Sequence, residues 1–174
     1  MIIKKFDSFN KLNISVIRSD EVDDVVDLLG QSFGHIDSNS EIKRKLYNRI
    51  TNGLSIRAKI DDKIVGVYLV AEKSAKKFLE DVLDGRLDSH KNAKIFISKN
   101  LISDNGIQGI ALCVDKDYRG LGIGNKLKSY FNNLKYDYIW GVQDKRLNNI
   151  NHWTKSRVIF MEDDNYYCTI KFLK

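Results

Sequence analysis

The chain has 174 residues, 43% of them hydrophobic and 30% charged, a composition that agrees with a small soluble domain, long enough for one good core and short for two. No apolar run is long enough to span a bilayer, and residues 1–13 mix lysines with polar residues where a signal peptide would carry an apolar core, so a cytoplasmic protein with no membrane partner is expected. The net charge of +6 admits an acidic partner such as nucleic acid, but the lysines are scattered and no basic helix or aromatic–basic motif stands out, which favours a solvated lysine-rich surface.

Residues 13–18 read as a first strand, with Ser19 or Asp20 placed to cap the helix that follows. Val22, Val25, Val26, Leu29 and Phe33 give that helix one apolar face. A second helix is expected over 39–50, with Ile42, Leu46 and Ile50 inward and Lys43, Arg44, Lys45 and Arg49 outward. Residues 54–60 and 64–71 then form two strands joined by Asp61, Asp62 and Lys63, a short hairpin loop. Across 75–83 the spacing of Phe78, Leu79, Val82 and Leu83 is helical, and 94–99 alternates like a strand. Residues 107–114 are a β-rich apolar run that stops at Asp115, Lys116 and Asp117. The next helix shows its buried face through Leu127, Tyr130, Phe131 and Leu134. A fifth strand at 136–142, a helix at 147–155, and a closing antiparallel pair, 158–161 with 166–172 around a turn at 162–165, complete the chain. One domain over residues 1–174 is expected. The two cysteines, Cys113 and Cys168, lie in strand-like runs and read as reduced core thiols; no zinc-ligand spacing occurs, so no metal is expected.

Chemistry concentrates between the fourth strand and its helix. Arg119, Gly120, Leu121, Gly122, Ile123 and Gly124 carry the backbone into the helix with little side-chain bulk. The first amides of a helix lack internal partners and sit at the positive end of its dipole, and glycines let an anion come close to them. Phosphate is the natural guest. The dinucleotide fingerprint fails because Asn125 stands where a glycine is needed, and a nucleotide P-loop fails because Lys126 follows Asn125 and precedes Leu127. What fits is Leu112-x-Val114-Asp115-x-x-Tyr118-Arg119-Gly120-x-Gly122-Ile123-Gly124.

This run resembles the pantetheine strand and pyrophosphate loop of the GNAT superfamily of N-acetyltransferases, departing from it in the proline usual after the aspartate. The order of strand, two helices, hairpin, glycine-turn strand and helix is also the family's. The resemblance implies an α/β fold (α+β by some schemes): a central mixed, mostly antiparallel sheet of six to seven strands flanked by helices, with a splayed fourth/fifth strand pair. It implies acetyl-CoA as co-substrate, bound by Leu112, Val114, Arg119, Gly120, Leu121, Gly122, Ile123, Gly124 and Asn125. Residues 73–106 depart from the compact family pattern as an insertion between the third and fourth strands, which either shapes acceptor choice or only covers the hairpin. In the last helix the family often carries an asparagine and, seven residues on, a tyrosine. A gapless alignment puts Arg146 and Trp153 there; Asn148 is near enough to take the asparagine's coenzyme contact, but indole cannot protonate a thiolate as a phenol can.

Acyl transfer to an amine requires a deprotonated amine, a polarised thioester carbonyl and a stabilised thiolate. The resemblance suggests backbone amides of Leu112 and Cys113 as the oxyanion donors. Asp104, Gln108 with a water, Asp144 and His152 are base candidates by chain position; His152 has the most suitable intrinsic pKa. Cys113 alternates onto the face opposite Leu112 and Val114 and is read as core rather than as an acyl-enzyme nucleophile. The expected activity is N-acyl transfer from acetyl-CoA to a primary amine by direct attack in a ternary complex. The acceptor is left open among a small molecule, a protein amino group and an aminoacyl-tRNA, as is a homodimer. A catalytically silent acyl-CoA-binding module and a basic nucleic-acid-binding protein are the competing readings.

Overall fold

The structure is a computed structural model that describes residues 11–33, 40–51, 53–76, 78, 102–144, 157–160 and 166–173. Seven strands form one sheet in the order β1-β2-β3-β4-β5-β7-β6. The pairs β1–β2, β2–β3, β5–β7 and β6–β7 are antiparallel, and β4–β5 is parallel, so the sheet is mixed and mostly antiparallel as expected. The chain divides into two compact units, Met1–Ala71 with Ala111–Asn133, and Glu72–Ile110 with Leu134–Lys174.

The first unit opens with β1 (Asn13–Val16) and a 3-10 turn, Ser19–Glu21. Ser19 and Asp20 were expected to cap the first helix, but both lie inside this turn. Glu21 closes the start of this turn, its carboxylate accepting the Arg18 backbone N–H at 3.0 Å. Glu21 is buried because Arg57 Nε donates to both of its oxygens at 3.0 Å and Lys59 Nζ reaches it at 3.3 Å. A paired and hydrogen-bonded carboxylate tolerates burial that an isolated one would not.

Helix α1 (Val22–Phe33) buries Val22, Val25, Val26, Leu28 and Leu29. Phe33, expected on this face, is 54% exposed, and Leu28 takes the inward place. In α2 (Ser40–Thr51) Leu46 and Ile50 are buried and Arg44, Lys45 and Arg49 exposed, as the spacing predicts; the side chains of Ile42 and Lys43 lie outside the described residues. Strands β2 (Ile56–Ile60) and β3 (Lys63–Glu72) form the hairpin, with Ile60 opposite Lys63, so the loop is Asp61 and Asp62 alone and Lys63 already belongs to β3. Asp61 takes a left-handed φ of 52°, which aspartate tolerates better than most residues. A register shift beside Ala58, which faces Gly66, puts one extra residue on β3, a bulge.

Strand β4 (Gly106–Val114) ends in this unit, followed by a 3-10 turn (Lys116–Tyr118), helix α3 (Ile123–Tyr130) and a closing 3-10 turn (Phe131–Asn133). Ile123, Leu127 and Phe131 are buried, and Phe131 meets Tyr68 edge to face with centroids 5.5 Å apart. Tyr130, expected inward, is 37% exposed and its ring leans on Phe131 instead. Glycine is required on β3 under this helix: a Cβ at Gly66 would stand 3.1 Å from Ile123 Cγ2 and 3.2 Å from Leu127 Cδ1.

In the second unit β4 begins beside β5 (Tyr138–Asp144), and their parallel pairing joins Gly106–Gln108 to Tyr138–Trp140, the first residues of each strand; both strands run on past it. Parallel neighbours need a crossover, which the segment containing α3 supplies. Strands β6 (Arg157–Phe160) and β7 (Tyr166–Phe172) close the sheet. The two ends of the 73–106 insertion are clamped together: Lys73 N–H donates to Gly106 O at 3.2 Å and Ser74 Oγ to Ser103 O at 3.2 Å. Residues 79–101, 145–156 and 161–165 lie outside the described residues, and with them the helix expected at 147–155 and the strand at 94–99. Among the described residues no helix is long and apolar enough to cross a membrane.

Candidate functional site

The site is built in the first unit by the end of β4, the loop Asp115–Gly122 and the start of α3. Along β4, Cys113 is buried while Leu112 and Val114 are half-buried on the opposite face. Those two side chains converge on the helix start: a Cβ at Gly124 would lie 3.8 Å from Val114 Cγ2 and 3.9 Å from Leu112 Cδ2. Burial pushes the Cys113 thiol up to about 11, against hydrogen bonds from Ser32 and Val67, so it is a protonated core thiol and not a nucleophile.

The direction of the main-chain groups follows from one bond. Asp115 N–H donates to Val65 O on β3 at 2.9 Å, and alternate residues of a strand turn their backbone groups to the same neighbour. By that alternation Cys113 turns its backbone groups toward β3 as well. Leu112 and Val114 face the other way, where Arg119 Nε reaches Val114 O at 3.1 Å. The two residues whose backbone is expected to polarise a carbonyl, Leu112 and Cys113, are neighbours near the end of this strand.

The loop is shaped by Asp115. Its Oδ1 accepts Asp117 N–H at 2.9 Å, an Asx turn that starts the 3-10 segment, and its Oδ2 lies 2.7 Å from Lys63 Nζ. Burial alone would raise this carboxyl, but the hydrogen bonds from Lys63 and the Asp117 amide outweigh it and hold it below the usual carboxylate range. Lys63 is raised, chiefly by its hydrogen bond to Asp115.

Gly120 and Gly122 then turn the backbone with φ of +81° and +77°, values that strain any residue with a Cβ, and no atom lies within 4 Å of the place that Cβ would occupy. Gly122 is also the N-cap of α3, and the first intrahelical bond runs from Lys126 N–H to Gly122 O at 3.0 Å. The amides of Ile123, Gly124 and Asn125 precede that ladder and so have no acceptor within the helix. No carboxylate lies in the first turn of α3 to compete for them. Arg119, Gly120, Gly122 and Asn125 are exposed and Leu121 half-buried, while the Ile123 side chain is sunk in the core, so Ile123 can offer a ligand only its amide. The residues fit a diphosphate: open backbone donors, a helix N-terminus and a neighbouring guanidinium.

His152, Asn148, Arg146 and Trp153 lie outside the described residues. Asp104 and Gln108 belong to the second unit, Asp104 exposed with Lys76 3.9 Å away and Gln108 paired with Trp140 on β5. Asp144 ends β5 opposite Tyr166. Among the described residues no group of three or more His, Cys, Asp or Glu side chains could hold a metal ion. Sequence reasoning missed Lys63 and Gly66. Gly66 had a signal, a glycine inside a β-branched strand, but the lysine's role depends on a tertiary contact that no local spacing encodes.

The chain matches no protein-family model and no curated protein. Solved structures match it over nearly its whole length. A GNAT-family acetyltransferase from Bacillus cereus ATCC 10987 is 13% identical with a TM-score of 0.60, covering 92% of this chain and 96% of its own. A mosquito arylalkylamine N-acetyltransferase like 5b is 15% identical with a TM-score of 0.59, covering 92% and 99%. The GNAT-like decarboxylase GphF, solved in complex with isobutyryl-CoA, is 12% identical with a TM-score of 0.65, covering 93% and 100%. At these identities the likeness is one of fold.

Proposed function

From the GNAT fold as premise, we propose that this chain is an acyl-CoA-dependent N-acyltransferase that moves acetyl from acetyl-CoA to a primary amine by direct attack in a ternary complex. The observation that carries the reading is the glycine turn: two left-handed glycines open the approach to the Ile123, Gly124 and Asn125 amides beside an exposed Arg119. In this reading Leu112 and Val114 line the pantetheine arm, and Arg119, Gly120, Leu121, Gly122, Ile123, Gly124 and Asn125 hold the diphosphate. A backbone amide around Leu112 and Cys113 donates to the thioester oxygen as negative charge develops there. Asn148 adds a coenzyme contact and His152 takes the amine proton. With Trp153 where the family carries a tyrosine, the coenzyme thiolate leaves without a side-chain acid; a thiol of pKa about 8.5 is a tolerable leaving group near neutral pH. The acceptor is a small amine, a protein amino group or an aminoacyl-tRNA, and the protein acts in the cytoplasm.

Two measurements test this together. Coenzyme A and acetyl-CoA should each raise the thermal midpoint, because a ligand bound only by the native state stabilises it by mass action. Free thiol should appear when acetyl-CoA is mixed with an accepted amine from a broad panel. An unchanged midpoint at saturating coenzyme refutes the site. A raised midpoint with no thiol release from any amine refutes the transferase and leaves an acyl-CoA-binding module. A chain that ignores coenzyme A but binds nucleic acid with a steep salt dependence is the basic binding protein instead.

A further inference from the structure

Lys63 opens β3 directly after the hairpin turn, and its ammonium lies 2.7 Å from Asp115 Oδ2. The carboxylate is buried at 6% exposure while the lysine side chain is 57% exposed. Asp115 has no slack: Oδ1 holds the Asp117 amide, and its own N–H is bonded to Val65 O. Asp115 thus sets the bend by which β4 enters the glycine loop, and a lysine from the neighbouring hairpin holds Asp115. The same ammonium stands 5.4 Å from the ring centroid of Tyr118, the residue before Arg119. Next door, Arg119 Nε is tied to Val114 O at 3.1 Å.

We propose that Lys63 and Asp115 act as a latch that positions the diphosphate loop for coenzyme A, an inference that rests on the function proposed above. Two physical effects combine in it. The Asx turn fixes the backbone ahead of Arg119 and Gly120, so less conformational freedom is lost when the ligand orders the loop. The lysine also cancels a buried negative charge close to a site that must attract a dianionic group; an unpaired carboxylate there would oppose the field of the helix amides and Arg119. Lys63 acts through Asp115 and is a positioning residue, not a phosphate ligand.

Coenzyme A affinity by titration calorimetry and hydrogen exchange of the Asp117 amide by NMR, on the full chain, test the latch. Lys63 is more than half exposed, so Lys63→Met keeps the stem packed and the fold intact. It should weaken coenzyme A about tenfold, the scale of one charge-assisted contact, and speed exchange at Asp117. Lys63→Arg should restore both. Asp115→Asn keeps an acceptor for the Asp117 amide but drops the charge, and Lys63→Met/Asp115→Asn should bind no more weakly than the worse single variant, because the pair works as a unit. A wild-type chain that does not bind coenzyme A overturns the proposed function and the latch with it. A wild-type chain that binds, with Lys63→Met unaltered in affinity and exchange, overturns the latch alone. Additive losses with unaltered Asp117 exchange also overturn it, since they would make Lys63 a direct phosphate contact.

Discussion

Gly122 and Gly53 provide an internal control for the candidate site. Both are left-handed, at φ of +77° and +74°, with open space where a Cβ would stand, so alanine at either position is penalised through the backbone alone, by about 1–2 kcal/mol. Both variants should lower the thermal midpoint of the free protein to a similar degree. They should part on adding coenzyme A: Gly53→Ala keeps the ligand-induced rise and Gly122→Ala loses most of it, because Gly122 adjoins the proposed diphosphate site. Equal rises in the two variants would show that the turn's glycines serve only the backbone. The motif glycines were legible in the sequence because local conformation is what they encode. Gly66 was only half legible: its need for closeness is set by Ile123 and Leu127, which arrive from a helix far along the chain.

Elements were read well where burial and period agreed and less well where tertiary contacts decided. The spacing of Leu46 and Ile50 found the inner face of α2, yet the same logic put Phe33 and Tyr130 inside when both are substantially exposed. A periodic pattern marks which side of a helix faces a core, but not how far that core extends past its ends. The insertion's root is the sharper case. Tyr138 on β5 was read as a strand residue, whereas its hydroxyl gathers both ends of the insertion: it accepts from Ala75 N–H at 3.0 Å, meets Ser74 Oγ at 3.0 Å and donates to Ser103 O at 2.8 Å. Ala75 is fully buried, so Tyr138→Phe strands its N–H without a partner and should cost about 1–3 kcal/mol in denaturant unfolding. Coenzyme A affinity should stay as in the wild type, since the site is assembled from other elements. A variant as stable as the wild type would show that the hydroxyl is dispensable to the clamp. On the same strand, a Cβ at Gly141 would stand 2.9 Å from Gly109 O, a backbone atom that cannot swing aside. Gly141→Ala should therefore destabilise by about 1–3 kcal/mol through overpacking, measured the same way; a neutral substitution would mean that the strands part readily at this point.

For the molecule as a whole, fold class was legible because the glycine motif and the order of elements constrain topology together, while its buried electrostatics were not. Nothing in the local sequence marks Glu21, and only the fold brings Arg57 and Lys59 onto it from β2. That cluster predicts how the protein responds to acid. Burial alone would raise the Glu21 carboxyl, but hydrogen bonds from Arg57 and the Arg18 amide outweigh it, and the folded-state pKa falls below the ordinary value of 4.5. A carboxylate lowered on folding contributes stability that is fully present above its unfolded pKa and is lost as pH falls through the folded one. Asp115 behaves in the same sense. Stability should accordingly be level from about pH 7 to 5 and decline below about pH 4.5, where the unfolded chain begins to take up protons that the folded chain refuses. Glu21→Gln removes one of the two groups and leaves Arg57, at 7% exposure, without its counter-charge. It should cost about 3–5 kcal/mol at pH 7, the range for breaking a buried pair from one side, and should flatten the acid limb because a protonatable carboxyl is gone. Denaturant midpoints at pH 7, 5, 4 and 3 for both proteins decide the matter. A variant that is weaker at pH 7 yet keeps the wild-type acid slope would place the titrating groups elsewhere, and a variant as stable as the wild type would show that the buried ion cluster does not hold β1, α1 and β2 together.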